Sequence, residues 1–400
     1  IVLPFGEDIN TFTPVQHPAN DENSTIVTTH FDYHSIDSNL LKLDILGHDD
    51  PTMIRMLQDL TGKDPRDFPL STPEVMSLFK DTSALGVTPA EIRGCPLGAL
   101  GLPEFGTDNA INMLLETKPQ YVSDLIRISG LAHGTNVWHG NAQTLISEGK
   151  CTIATAVCTR DDIMVYLIDK GLENERAFKI MEDVRKGRVA KKKSDYWNEW
   201  KEDMISHGVP DWYIWSCEHI EYMFPKAHAA AYVMMALRIA YCKVFYPLAY
   251  YCAYFSIRAS GFNYELMCLG KEQLERNMDA LEKKANLSAK EEDVYRDMRI
   301  VQEMYARGFS FVPIDIYKAQ STRFLIVDDR HLMPSLISID GMGSVAADTV
   351  VEAAESGRPF TSLDNFRQRT KVSQTLIDKM QKLHILDGLP QNDQFSLFDL

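Results

Sequence analysis

Cysteine is scarce in this chain and follows no framework. None of the seven forms a C-x-x-C pair, and Cys151 and Cys158 are the nearest two. An odd number without framework spacing argues against a disulfide scaffold and a zinc ribbon, and fits a reducing compartment. Long apolar runs are missing as well. The most apolar stretch, 227–257, is broken by His228, Arg238, Lys243 and Pro247. It falls short of the roughly 20 apolar residues of a bilayer span. A soluble cytoplasmic protein with no membrane partner is expected. Nor is there an excess of positive charge: the formal net charge is −15. Any contact with nucleic acid must then be local, against an overall field that repels phosphate. Nor is a signal peptide expected from the first residues. Residue 1 is Ile, and IVLPFGEDIN has neither a basic start nor an apolar core. The chain is expected to be a stretch of a longer protein. No internal period of repeat length is present.

What remains is ordinary globular composition, 45% hydrophobic and 24% charged over 400 residues, enough for two or three domains. Residues 1–65 read as strands and turns closed by a helix, with Asp50 as its N-cap ahead of Pro51. In LLKLDILGHDD, Leu41, Leu43 and Ile45 alternate with Lys42 and Asp44. A strand there is apolar on one face and sets a lysine beside an aspartate on the other. Residues 66–304 are mostly helical. The expected helices are 73–80, 109–116, 122–131, 141–148, 161–170, 174–185, 195–207, 210–224, 226–259 and 291–307. Residues 305–388 are short and mixed, with strand-like GFSFVPIDIY and TRFLIVDD. Residues 389–400 form a polar linker that ends in an apolar motif. The fold class is α+β and mostly helical.

Four motifs carry candidate chemistry. In LISIDGMGSVAADTVVEAAESG, Gly341 and Gly343 flank Met342 in a tight turn, followed by Ser344 and a helix with Ala347, Val350, Val351 and Ala354 at helical spacing. Glycines there let a partner's backbone approach, and free N–H groups at the helix start can hold a phosphate. Such a grip is sequence-independent; the alternative is a plain helical turn. In YMFPKAHAAAYVMMALRIAYCKVFYP, Lys226 and His228 open a long buried helix. They suit a triphosphate, or else the histidine simply satisfies the core. HFDYH sets His30, Asp32 and His34 on one strand face, and a polar face is the better reading than a metal site. RKGRVAKKK, residues 185–193, is either a contact to template or nucleotide through Arg185 and Lys186, or a solvated loop. QFSLF, with Gln394, Phe395, Leu397 and Phe398, is an exposed apolar peptide that something must bind, or a tail packed on its own domain.

In this order these pieces resemble the C-family bacterial replicative DNA polymerases, the alpha subunit of DNA polymerase III, and most closely its PolC type. HFDYHSIDSNLLKLDILGHDDPTMIRMLQDLTG is similar to the end of the family's mixed-sheet palm. GLPEFGTDNA, ISGLAHGTNVWHGNAQ, RDDIMVYLIDKGL, FKIMEDVRKG and YMFPKAHAAAYVMMALRIAY are similar to its large helical fingers. SFVPIDIYKAQSTRF through the hairpin to QFSLF is similar to its small helix-hairpin-helix duplex-binding and clamp-binding end. The resemblance implies that Asp44 is one of three carboxylates holding two Mg²⁺ ions, with Lys42 facing the incoming nucleotide. It implies that Tyr222, Lys226 and His228 contact the dNTP; Arg238 is a further candidate. The implied partners are primer-template DNA, dNTPs, the sliding clamp and other replisome subunits. The implied activity is template-directed addition of dNMP to a primer end. The family's Asp-x-Asp pair does not precede Asp44, so the chain alone is expected to be inactive. The alternative is a non-enzymatic, clamp-tethered helix-hairpin-helix DNA-binding protein.

Overall fold

Prolines and turn-forming polar residues break the first of two structural units, Ile1–His48, into very short elements. In this computed structural model, which describes residues 1–43, 45 and 47–392, strand β1 (Val15–Gln16) pairs antiparallel with β2 (Thr28–Thr29). The register is Val15 opposite Thr29. Two expectations fail here. The strand expected through 41–45 is reduced to a single bridge, Leu41 to Val2. Leu41 and Leu43 are 58% and 59% exposed. Period-two alternation makes a strand only where a partner strand supplies the ladder, and among the described residues Val2 supplies one rung. HFDYH is not a strand either. Asp32 accepts from the His34 amide at 2.9 Å and caps a 3₁₀ turn, Tyr33–Ser35. His30 Nδ1 instead meets Gln16 Oε1 at 2.8 Å. No group of three His, Cys, Asp or Glu side chains that could hold a metal occurs among the described residues.

The second unit, Asp49–Leu400, is helical because its apolar residues recur at helical spacing between good caps. Its helices begin with α1 (Asp50–Thr61), α2 (Pro73–Ser77), α3 (Asp108–Thr117), α4 (Val122–His133), α5 (Gln143–Ser147) and α6 (Arg160–Asp169). They continue with α7 (Asn174–Arg185), α8 (Trp197–Ser206), α9 (Asp211–His219), α10 (Lys226–Phe245) and α11 (Pro247–Ala253). Then follow α12 (Tyr264–Met267), α13 (Lys271–Glu282) and α14 (Ala289–Ala306). Strands β3 (Ser310–Phe311), β4 (Leu325–Ile326) and β5 (His331–Met333) form a small mixed sheet. Its order is β3-β5-β4, parallel between β3 and β5 and antiparallel between β4 and β5. Helices α15 (Ser344–Glu355), α16 (Leu363–Thr370) and α17 (Gln374–Lys382) follow. The protein is α+β and mostly helical. No helix among the described residues is long and apolar enough to cross a membrane.

The helix expected over 226–259 breaks at Tyr246, whose backbone leaves the helical region just before Pro247. Proline lacks the N–H that would continue the ladder and disfavours a helical residue before it. Asp50 is not the cap of α1 but its first residue, after Asp49. Fully buried, it accepts from Arg258 Nη1 at 2.5 Å.

A large core runs from Met53 through Leu125, Val233 and Tyr250 to Leu332. A second core packs α15 to α17 through Ala347, Val350, Phe366, Ile377 and Met380. Each large aliphatic side chain removed from water in this way contributes about 1.5–3 kcal/mol. At the centre of the large core sits a fully buried ion pair, Lys243 Nζ to Glu303 Oε2 at 2.9 Å. Lys243 also donates to the carbonyls of Gly98 (2.8 Å) and Leu100 (2.5 Å), so its three protons all have acceptors. Tyr251 donates to the other Glu303 oxygen at 2.7 Å. The pair therefore fastens the loop after residue 97 to α10 and α14.

A candidate nucleotide and nucleic-acid site

Five residues of extended chain, 220–224, collect the fingers-like motifs around the start of α10. The Thr135 amide donates to the Tyr222 carbonyl at 2.9 Å, and the Glu221 amide donates back to Thr135 at 3.1 Å. The Met223 amide donates to the Arg185 carbonyl and the Arg160 amide to the Phe224 carbonyl, each at 3.2 Å. The exits of α4 and α7 and the entry of α6 thus converge on one segment. Gly187 makes the α7 junction possible: its φ is +67°, and a Cβ there would lie 2.3 Å from the Glu221 carbonyl oxygen.

The α10 N-terminus carries its own carboxylates. Asp161 accepts from the Lys226 amide at 2.6 Å, and Asp162 accepts from Lys226 Nζ at 3.1 Å. Asp162 also closes the capping box of α6, taking the amide and hydroxyl of Thr159 at 2.9 Å each. These acids offset the positive end of the helix dipole. What faces outward is the Lys226 side chain, 44% exposed, and Tyr222, 45% exposed. Aromatic rings gather at the same helix start. Tyr222 stands edge-on to Phe224 (5.3 Å between centroids), Phe224 lies against His228 (5.0 Å), and His228 lies against Tyr232 (4.5 Å).

Tyr222, Lys226 and His228 are therefore brought together. Arg238 is not with them. Twelve residues further along the helix it lies about 18 Å away, where its charge helps hold Asp64 low. The larger cause there is the Arg66 hydrogen bond, and the Asp64 carboxyl falls to about 2. Arg185 and Lys186 do reach the site's edge, but both are engaged by Glu182, Lys186 at 2.7 Å. The Arg185 hydrogen bond is the main reason the Glu182 carboxyl drops to about 2. Lys186, Arg188, Lys191, Lys192 and Lys193 are the exposed basic residues of that cluster. In the first unit, Lys42 Nζ lies 5.4 Å from the centre of the Tyr33 ring. Asp44 and the tail residues Gln394, Phe395, Leu397 and Phe398 lie outside the described residues. Sequence reading missed Asp161 and Asp162 as partners of Lys226. The available signal was the Thr159-x-x-Asp162 capping spacing, which places Asp162 at a helix start.

The hairpin has the shape its glycines suggested. Gly341 has φ +88°, and the Met342 amide closes the turn on Ile339 at 3.0 Å. Gly343 is the N-cap of α15 and supplies no side-chain acceptor, so the first amides after it keep their donors. A Cβ at Gly343 would meet nothing within 4 Å, and Val345 beside it is 77% exposed. Lys379 ties the turn down through Asp340 (Oδ2 at 3.0 Å) and Glu265 (3.2 Å). The two glycines should therefore respond differently. Gly341→Ala forces a side chain into the left-handed region and should cost about 1 kcal/mol of stability. Gly343→Val should leave the melting temperature near wild type, weaken duplex binding about equally for unrelated sequences, and flatten its salt dependence. Fluorescence anisotropy over a salt series measures this; equal slopes for wild type and Gly343→Val would remove the phosphate grip.

Residues 50–208 match the bacterial DNA polymerase III alpha subunit finger domain, and residues 308–394 match a helix-hairpin-helix motif. The whole chain is 48% identical over 399 residues to a DNA polymerase III PolC-type of Caldanaerobacter subterraneus subsp. tengcongensis. It is 50% identical over 402 residues to that of Streptococcus pneumoniae and 49% identical over 399 residues to that of Clostridium perfringens. All of this chain is covered in each case, but only 27–28% of the length of each relative. The finger domain, the helix-hairpin-helix and identity near one half along the full chain agree, and the chain belongs to the PolC-type DNA polymerase III family.

Proposed function

We propose that this chain is the nucleotide-gripping and duplex-gripping part of a replicative DNA-directed DNA polymerase of cytoplasmic location. The observation that carries the reading is the convergence of α4, α6, α7 and 220–224 on the start of α10. There Tyr222, Lys226 and His228 lie together, joined by ring contacts through Phe224. A lysine already balanced by Asp162 can turn to a triphosphate without a bare charge being left behind in its absence. The hairpin at Gly341, Gly343 and Ser344 takes the duplex backbone. The turn at 185–193, through Arg185, Lys186 and the exposed basic residues after them, contacts template or nucleotide. Mg²⁺, when bound, stabilises the attacking and leaving oxygens of the transferred phosphoryl group. Asp44 is the residue of this chain proposed to hold it, beside Lys42. One aspartate fills only one or two of about six oxygen positions around Mg²⁺. The chain by itself does not make that site, and the remaining ligands belong to the rest of the enzyme.

The test is kinetic. In the full polymerase, Lys226→Ala and His228→Ala should each raise KM for all four dNTPs. Loss of a charge-assisted contact costs about 1.5–3 kcal/mol, or roughly ten- to a hundred-fold. A selective effect on one dNTP places the residue at the base instead. An unchanged KM with a lowered melting temperature returns His228 to a core role.

The tail is proposed as the sliding-clamp anchor, with Phe395, Leu397 and Phe398 entering an apolar pocket and Gln394 bonding at its rim. Burial of each large apolar group contributes roughly 1.5–3 kcal/mol, partly offset by ordering the peptide. Leu397→Ala with Phe398→Ala should abolish clamp-dependent processivity and the calorimetric signal of a tail peptide on purified clamp. Distributive synthesis on short primers should persist. Clamp-dependent extension that survives both changes would place the anchor elsewhere.

A further inference from the structure

A second pair of side chains reaches the start of α10, through His133 against Phe224 and His228. Glu104 is a non-glycine residue at φ +66°, in a tight turn closed by the Phe105 amide on the Pro103 carbonyl at 2.8 Å. Residues with side chains avoid this region, and strained positions persist only where the surroundings hold them. Here Phe105, fully buried edge-on against Phe79, holds one side of the turn. The Lys243 ammonium holds the carbonyls of Gly98 and Leu100 upstream. The strained turn aims the Glu104 carboxylate inward. Its side chain is only 9% exposed. One oxygen, Oε2, accepts from Ser129 Oγ at 2.9 Å and lies 3.4 Å from His133 Nε2. The other edge of the His133 ring donates through Nδ1 to the Ser129 carbonyl at 2.8 Å. The imidazole is thus held by a hydrogen bond at Nδ1, with the Glu104 carboxylate beside Nε2, where it forms an ion pair when the ring is protonated. Its ring stands edge-on to Phe224 (5.5 Å) and to His228 (6.0 Å).

We infer that Glu104 and His133 are positioning residues for His228 at the nucleotide site. Neither needs to touch the substrate. Glu104 fixes the plane of His133, and His133 with Phe224 fixes the ring plane of His228. A histidine that meets a phosphate must present its N–H along one direction, and errors of about 1 Å at such contacts cost up to roughly a hundredfold. The inference rests on the nucleotide reading of α10 proposed above.

The experiment uses the full-length polymerase. Steady-state KM and kcat for each dNTP, primer-template Kd and melting temperature are measured for Glu104→Gln, His133→Gln and His228→Ala, and for each of the first two combined with His228→Ala. Glutamine preserves the volume at both positions, so the fold should survive. Expected for Glu104→Gln and His133→Gln is a rise of about tenfold in KM for all four dNTPs, with kcat and primer-template Kd near wild type. Combined with His228→Ala, neither should raise KM further, because each acts through that ring. Glu104→Asp, which keeps the charge, should recover part of the loss; Glu104→Ala should not. Additive effects in the double variants would overturn the inference, as would a lowered melting temperature with an unchanged KM. An unchanged KM for His228→Ala alone would overturn the nucleotide reading as well, and so separates the two failures.

Discussion

Asp44→Asn in the full-length polymerase is expected to stop nucleotide addition while leaving DNA binding and the melting temperature near wild type. The exchange replaces a carboxylate with an amide of almost the same shape. Packing is preserved, and what disappears is one negative charge and a strong oxygen ligand. In the proposed role that carboxylate would help hold Mg²⁺ beside Lys42, and the bound metal would supply charge stabilisation to the transferred phosphoryl group. Removing a single neutral donor from a preorganised site already costs on the order of 100- to 1000-fold in kcat. Losing a formal charge against a divalent cation should cost more. Single-turnover extension of a labelled primer measures it, with gel-shift titration as the binding control. Extension within tenfold of wild type would remove Asp44 from the catalytic set. The 400-residue chain should extend no primer at all, and robust synthesis by it would contradict the account of the missing ligands.

The largest expected effect on stability comes from Lys243→Ala. Burial pushes the Lys243 ammonium down from its ordinary value, and the Glu303 carboxylate counteracts this. Both side chains are fully buried. Removing the lysine leaves Glu303 with a charge facing only Tyr251 and the nearby Arg307, and strips the Gly98 and Leu100 carbonyls of their donor. Breaking one partner of such a pair typically costs about 3–5 kcal/mol. The pair as a whole is worth far less, because its attraction repays a desolvation cost. Lys243→Met with Glu303→Leu should therefore recover much of the loss. Urea unfolding of the three proteins provides the comparison. A loss below about 1 kcal/mol for Lys243→Ala would mean that water reaches Glu303, contrary to its zero exposure.

Local chemistry was legible in the sequence wherever neighbours along the chain decide the outcome. Helix α7 has the expected bounds, Asn174–Arg185, because its apolar residues keep helical spacing behind the Glu173 cap. The start of α10 and the glycine hairpin were also readable, since proline, lysine and glycine act through their own backbone there. Even the quenching of the basic cluster was available: Glu182 lies three and four residues before Arg185 and Lys186, the spacing at which helix side chains meet. Helix α13 was missed because half its residues are charged and it buries little beyond Leu274 and Met278. The period-two pattern at Leu41 to Ile45 misled, because alternation describes a strand's faces and not whether a partner exists to pair it. The rest was decided by tertiary structure alone. Glu104 reaches His133 across 29 residues, since a strained turn aims it there. Lys243 reaches Glu303 across 60, since two long helices bury both ends. Lys226 finds Asp161 and Asp162, 65 and 64 residues upstream, because 220–224 is stitched to α4, α6 and α7. Side-chain geometry at such separations depends on how helices pack, and no local periodicity encodes it.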